Sequence, residues 1–154
     1  MGASHITRPD RFRFVAAVHL FLINEGQILL LRRANTGYED GNYSVIAGHL
    51  DGDETVHAAV QREAREEAAI TIASEDLRVV GVMQRRATTA GDDERIDFFL
   101  VANQWSGAIQ NAEPGKCDEL AWFPLAAPPP NVIPYVRQAL DNYRDGRWFA
   151  TTGW

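Results

Sequence analysis

Residues 48–70 read GHLDGDETVHAAVQREAREEAAI, and within them Glu63, Glu66 and Glu67 follow an i, i+3, i+4 spacing. On a helix these three positions share one face. Like charges packed there repel one another, by a few tenths of a kcal/mol per pair when exposed and by more in a cleft. A hard divalent cation removes that repulsion, since Mg²⁺ takes oxygen ligands and keeps phosphate oxygens and waters in its shell. The helix phase sharpens the point. Val56, Ala59 and Val60 form an apolar stripe that continues through positions 63 and 67, where glutamates stand instead. An inner face that turns from valine to glutamate has an acidic end facing somewhere sheltered. The plainer alternative is a solvated helix whose acids pair with Arg62 and Arg65, an arrangement that is common and contributes little.

The wider pattern separates these readings. A glycine, five residues, a glutamate, seven residues and then Arg-Glu-apolar-x-Glu-Glu resembles the Nudix box, the signature of the Nudix hydrolase family. Gly48, Glu54, Arg62, Glu63, Ala64, Glu66, Glu67 and Ile70 match it. Matches at so many spaced positions make the resemblance specific. Ala69 departs from it, standing where the family usually has the glycine that ends the helix. Ile46-Ala47 replaces a frequent Pro-Gly, and His49 stands where a basic residue often follows the box glycine.

The resemblance implies an α/β fold, the α/β/α Nudix sandwich with a mixed sheet. It also implies hydrolysis of a nucleoside diphosphate joined to another group, in the manner of MutT-like pyrophosphohydrolases, with Mg²⁺ or alternatively Mn²⁺ as cofactor. Glu63, Glu66 and Glu67 are the expected metal ligands, and a backbone carbonyl at Ala47 or Gly48 completes the set. Arg62 is expected to orient carboxylates by pairing with Glu54 or Glu66 rather than to bind the metal. A further carboxylate outside the box often acts as base or ligand in the family. Asp92, Asp93 and Glu94 are the candidates, and Glu94 is preferred because it directly precedes a strand. Of Arg32 and Arg33, strand alternation lets only one reach a phosphate, and Arg33 is the choice. His49 is a candidate substrate contact. Asp118 or Glu119 is a candidate for a base edge, and Trp122 and Tyr43 are candidates for stacking, although aromatics in such segments more often fill the core.

The elements that must hold these residues are legible in outline. FRFVAAVHLFLIN and QILLLRR read as two strands joined at Glu25-Gly26 into a hairpin. NTGYEDGN is a loop, and YSVIA is a short strand leading to the box. Asp53 or Thr55 can cap the box helix. LRVVGVMQRRA and RIDFFLVANQW are strands around the polar loop TTAGDDE. SGAIQNAEPGK is a long loop before CDELAWFPL. After Pro128-Pro129-Pro130, Asn131 caps a last helix with Val132, Val136, Leu140 and Tyr143 on one face. The tail after Gly146 reads as irregular, with Trp148 and Trp154 able to dock back.

At 154 residues the chain suits one domain, with a core over about residues 12–145. A net charge of −6 argues against nucleic-acid polymers as partners but not against a small anionic nucleotide held through a metal. No run of 18 apolar residues suggests a membrane span, and MGASHITRPDRFRF lacks the apolar middle of a signal peptide. With Cys117 alone, no internal disulfide can form, and a cytoplasmic location is expected. Dimers are frequent in the family, so a homodimer is open. Competing functions are an ADP-ribose or dinucleotide pyrophosphatase and a binding module that has lost catalysis. The intact glutamate set speaks against the latter. Isomerisation of a prenyl diphosphate lacks a cysteine motif near the box.

Overall fold

The computed structural model describes residues 11–89 and 91–154. The reading of the first ten residues lies outside it, as does Ala90 of the polar loop.

Strand β1 (Val15–Asn24) is the axis of the molecule. Its alternation sends Val18, Leu20 and Leu22 to one face and His19 and Phe21 to the other, and both sets are buried. Such a strand must be covered on both sides. Helix α1 (Val56–Ala68) covers the first face with Ala59, Val60, Ala64 and Ala68, and helix α2 (Pro134–Asp145) covers the second with Val136, Ala139 and Leu140. The layers are therefore helix, mixed sheet, helix, as expected.

Glu25 and Gly26 both take positive φ (51° and 75°), the turn that joins β1 to β2 (Gln27–Arg33). The expected hairpin forms only at its tip, where Ile23 faces Ile28 and Asn24 faces Gln27. Beyond it the strands diverge. β1 pairs with β4 (Ile46–His49) and, in parallel, with β6 (Arg95–Ala102); β6 pairs with β5 (Arg78–Arg85). β2 pairs instead with β3 (Tyr43–Ser44) and β7 (Cys117–Pro124). The sheet thus splits into two limbs joined at the β1–β2 tip.

Two terminal expectations are corrected. The tail is not irregular, because Phe149–Thr152 form β8, parallel to β5. Trp148 and Trp154 remain largely exposed. Asn131 does not cap α2; its side chain donates to the Gly41 carbonyl, and the helix opens at Pro134 without a side-chain cap. Among the described residues, no helix is long and apolar enough to cross a membrane.

Candidate active site

Helix α1 begins where Thr55 Oγ1 accepts the Ala58 N–H at 3.0 Å, the second of the two expected caps. Its inner face packs through Ala59, Val60, Ala64 and Ala68, and that packing fixes the phase in which Glu63 and Glu67 point. Both belong to the sheltered side, whereas the Glu66 side chain is 52 % exposed. The helix ends at Ala69, which adopts the left-handed conformation at φ 58° that glycine would take at no cost.

Arg62 ties the box together. Its guanidinium donates to Glu54 at 2.9 Å, to Glu63 at 2.7 Å and to the His49 carbonyl at 3.1 Å, and lies 3.6 Å from Glu66. The hydrogen bond from Arg62, helped by the Asp51 N–H, holds the Glu54 carboxyl below its ordinary range. Arg62 thus fixes the loop at residues 49–54 against the helix and orients Glu63. Gly48 lies against the Glu63 carboxylate and leaves it room.

Glu67 reaches the sheet. Its Oε2 accepts the Ala47 N–H at 2.9 Å. Ala47 faces His19 across β1 and β4, yet its N–H turns away from β1 toward Glu67. Within a strand, the N–H and carbonyl of one residue point to the same edge, so the Ala47 carbonyl opens on that edge too. Burial pushes the Glu67 carboxyl well up, and the neighbouring charge of Glu63 adds to this. Glu63 is raised by burial as well, despite Arg62.

One contributor has no signal in the sequence. The Ala112 N–H donates to the Glu67 carbonyl and the Gln110 N–H to that of Ala68, which lays the long loop after β6 over the end of α1. This brings the charge of Glu113 to bear on both Glu63 and Glu67. Glu113 is a carboxylate outside the box whose charge acts on this pair. Glu94 stands before β6 with its carbonyl on the Val15 N–H, and Asp92 and Asp93 are exposed.

The remaining candidates divide. Arg33 donates to the Tyr38 carbonyl at 2.8 Å, and its charge acts on both Glu67 and Tyr135. His49 is exposed, and its Nε2 meets Arg95 at 2.8 Å. Asp118 is committed to Arg32 at 2.7 Å. Tyr43 and Trp122 belong to the core, Tyr43 with its hydroxyl on Glu119 and Trp122 beside Trp105. Cys117 is a buried cysteine at the start of β7.

As they stand, the carboxylates are not gathered on a single point. Glu63 turns to Arg62 and Glu67 to Ala47, and among the described residues no three acidic, histidine or cysteine side chains are drawn together as a ready-made cation site. The chemistry of the set nonetheless fits a hard divalent cation. Its donors are all oxygen, and Glu67 is a sheltered carboxylate with like charges beside it, an excess that such an ion would relieve.

A family model described as the NUDIX domain matches residues 13–143. Among solved structures, the chain is similar to a MutT NUDIX hydrolase from Burkholderia pseudomallei, with 26% identity, a TM-score of 0.76, and coverage of 84% of this chain and 97% of that one. A MutT protein from Methanosarcina mazei Go1 is 20% identical at TM-score 0.70, covering 87% of this chain and 95% of that one. The NUDIX domain of Shewanella oneidensis NrtR, solved with ADP ribose, is 17% identical at TM-score 0.71, with coverage of 92% and 93%. No curated protein sequence matches. The motif on α1, the two-limbed sheet between its helices and a family model spanning most of the chain agree: this chain belongs to the NUDIX domain family and is a hydrolase of pyrophosphate bonds.

Proposed function

We propose that the protein is a Mg²⁺-dependent pyrophosphohydrolase of small nucleotides, cleaving a nucleoside triphosphate to the monophosphate and pyrophosphate by water attack on phosphorus. The observation that carries this reading is Glu67, a sheltered carboxylate beside Glu63 whose Oε2 accepts the Ala47 N–H. Glu63, Glu66 and Glu67 would hold the ion, with the Ala47 carbonyl as a further oxygen donor, and Mn²⁺ would serve in its place. Bound there, a divalent cation neutralises phosphate charge and lowers the pKa of water.

The chain supplies the rest. Arg62 keeps Glu63 in place and stops the box loop from swinging. Arg33, whose charge acts on Glu67, would be the cation for a phosphate oxygen. A carboxylate outside the ligand set would take the proton from water, with Glu113, whose charge acts on Glu63 and Glu67, and Glu94 as the candidates. His49, exposed and anchored to Arg95, would contact the substrate. Asp118 contacts substrate only if it leaves Arg32.

Hydrolysis of ADP-ribose or a dinucleotide is the second reading, favoured by the similarity to the domain solved with ADP ribose. A panel of canonical and oxidised nucleoside triphosphates, ADP-ribose and diadenosine polyphosphates, assayed for phosphate release after pyrophosphatase treatment, separates the two. Cleavage of none with Mg²⁺ or Mn²⁺ would favour a non-catalytic binding module.

A further inference from the structure

A second polar cluster is buried on the other face of the sheet, under α2, and the box chemistry makes no use of it. Asp97 on β6 is fully buried. It accepts Nε of Arg85, on β5, at 2.5 Å and Nη2 at 3.2 Å. The guanidinium carbon lies 3.6 Å from the centroid of the Tyr135 ring. Tyr135 is fixed in turn by His19, whose Nε2 is 3.0 Å from its hydroxyl and whose ring stacks on Phe99 at 4.6 Å. Arg85 therefore has a floor and a side wall, both held by groups that cannot move freely.

A buried ion pair is weak support for a fold, since hydrophobic residues of similar volume usually serve as well or better. This pair also stops short of using the arginine fully. Asp97 takes Nε–H and one of the two Nη2 protons, and no side chain or carbonyl among the described residues accepts from Nη1 or from the other Nη2 proton. The Arg85 side chain keeps 17% exposure. A chain of contacts leads from it toward the acidic helix: Tyr135 lies under the Arg85 guanidinium, and its hydroxyl meets His19. On β4, Ala47 faces His19 and also donates to Glu67, so one residue spans from this cluster to the acidic helix.

The charge balance narrows the ligand. Asp97 cancels Arg85, and burial holds His19 neutral at physiological pH, with its pKa lowered to about 4. The cluster thus presents fixed N–H donors with no net charge. A phosphate there would meet a buried carboxylate behind the arginine. A neutral ring edge carrying two adjacent acceptors would not.

We propose that Arg85, held by Asp97 and floored by Tyr135, selects the base of the nucleotide by donating to the O6 and N7 acceptors of a 6-oxopurine. Adenine presents an amino donor where guanine presents O6, so it meets the guanidinium donor to donor. The inference rests on the pyrophosphohydrolase reading for the position of the phosphates, and it names the base that reading leaves open.

The test is metal-free binding of monophosphates to the full chain by isothermal titration, so that it stands apart from turnover. GMP should bind at least about 10-fold more tightly than AMP, the scale of one good bidentate contact. Arg85→Lys keeps the charge against Asp97 but loses the fork, and should bring the two affinities together. In the active enzyme the same change should raise KM for GTP more than it lowers kcat. 7-Deaza-GMP on the unaltered protein, which needs no variant to fold, should lose about the same factor relative to GMP. Equal binding of GMP and AMP, full binding of 7-deaza-GMP, or no GMP binding at millimolar concentration would each overturn the proposal. Failure of every nucleotide to be cleaved with Mg²⁺ or Mn²⁺ would instead sink the hydrolase reading, while the GMP-to-AMP ratio still judges Arg85.

Discussion

Gly48 lies so close beneath Glu63 that a Cβ on it would stand 2.0 Å from Oε1. The clash is with the far end of a flexible side chain, so Gly48→Ala should fold while Glu63 swings out of its 2.7 Å bond with Arg62. Displacing an active-site group by about 1 Å costs on the order of 10²-fold in rate. The variant should show that loss in kcat with a near-normal circular dichroism spectrum. Wild-type turnover would mean that Glu63 has no role in the chemistry.

Glu67→Gln should lower turnover by several orders of magnitude and leave the fold intact, since the amide can no longer act as an anionic ligand or a base. The metal-free variant should be at least as stable as the parent at neutral pH, because a buried carboxylate beside Glu63 is replaced by a neutral group. Chemical denaturation alongside steady-state assays with Mg²⁺ measures both effects. Normal turnover would overturn the assignment.

Mg²⁺ should raise the melting temperature of the parent protein in proportion to its occupancy, as any ligand specific to the folded state does. Glu63→Gln and Glu67→Gln should each reduce that rise. A metal-induced shift of the same size in both variants would place the ion elsewhere.

Two groups give stability opposite dependences on pH. Glu67 is raised in the folded protein, chiefly by burial, so the folded state binds its proton first. Stability from this group is gained as pH falls through its raised value toward the ordinary carboxylate range. His19 is lowered from 6.5 to about 4, so the unfolded chain binds its proton first. Stability from His19 is full above about pH 6.5 and is lost down to about pH 4, by about 3 kcal/mol at most. In metal-free urea titrations, Glu67→Gln should steepen the acid loss and His19→Phe should flatten it. Unchanged pH profiles in both would remove these groups from the account.

Ala69 holds a left-handed conformation at φ 58° and is exposed. Such a backbone costs a residue with a Cβ roughly 1 kcal/mol. Ala69→Gly should therefore raise the unfolding free energy by up to about 1 kcal/mol with turnover unchanged. A destabilised variant would show that the flexibility gained by the unfolded chain outweighs the strain relieved.

Local pattern made much of this legible. QILLLRR appears as β2 over the expected residues, the box helix runs from its Thr55 cap, and Arg62 meets both Glu54 and Glu66. What local pattern missed depends on contacts distant in the chain. The parting of β1 and β2 is decided by β4, β6 and β7, which lie far along the sequence. The charge of Glu113 bears on the acids because its loop returns over α1, and a polar loop carries no periodicity to reveal that. Asp97 and Arg85 read as ordinary strand charges until the pairing of β5 with β6 places them side by side. Asn131 looked like a cap because capping residues are recognised by type, whereas its amide found a tertiary acceptor in the Gly41 carbonyl.

A single cylinder carries both the apolar anchor and the acids, so their relation is angular. Inserting one residue between Val60 and Glu63 would turn everything beyond it by about 100° about the axis, aiming the acids at bulk water while Val60 stayed in the core. Length variants tolerated by this molecule must therefore fall in its loops, and the thirteen-residue span of α1 has to be inherited without gaps.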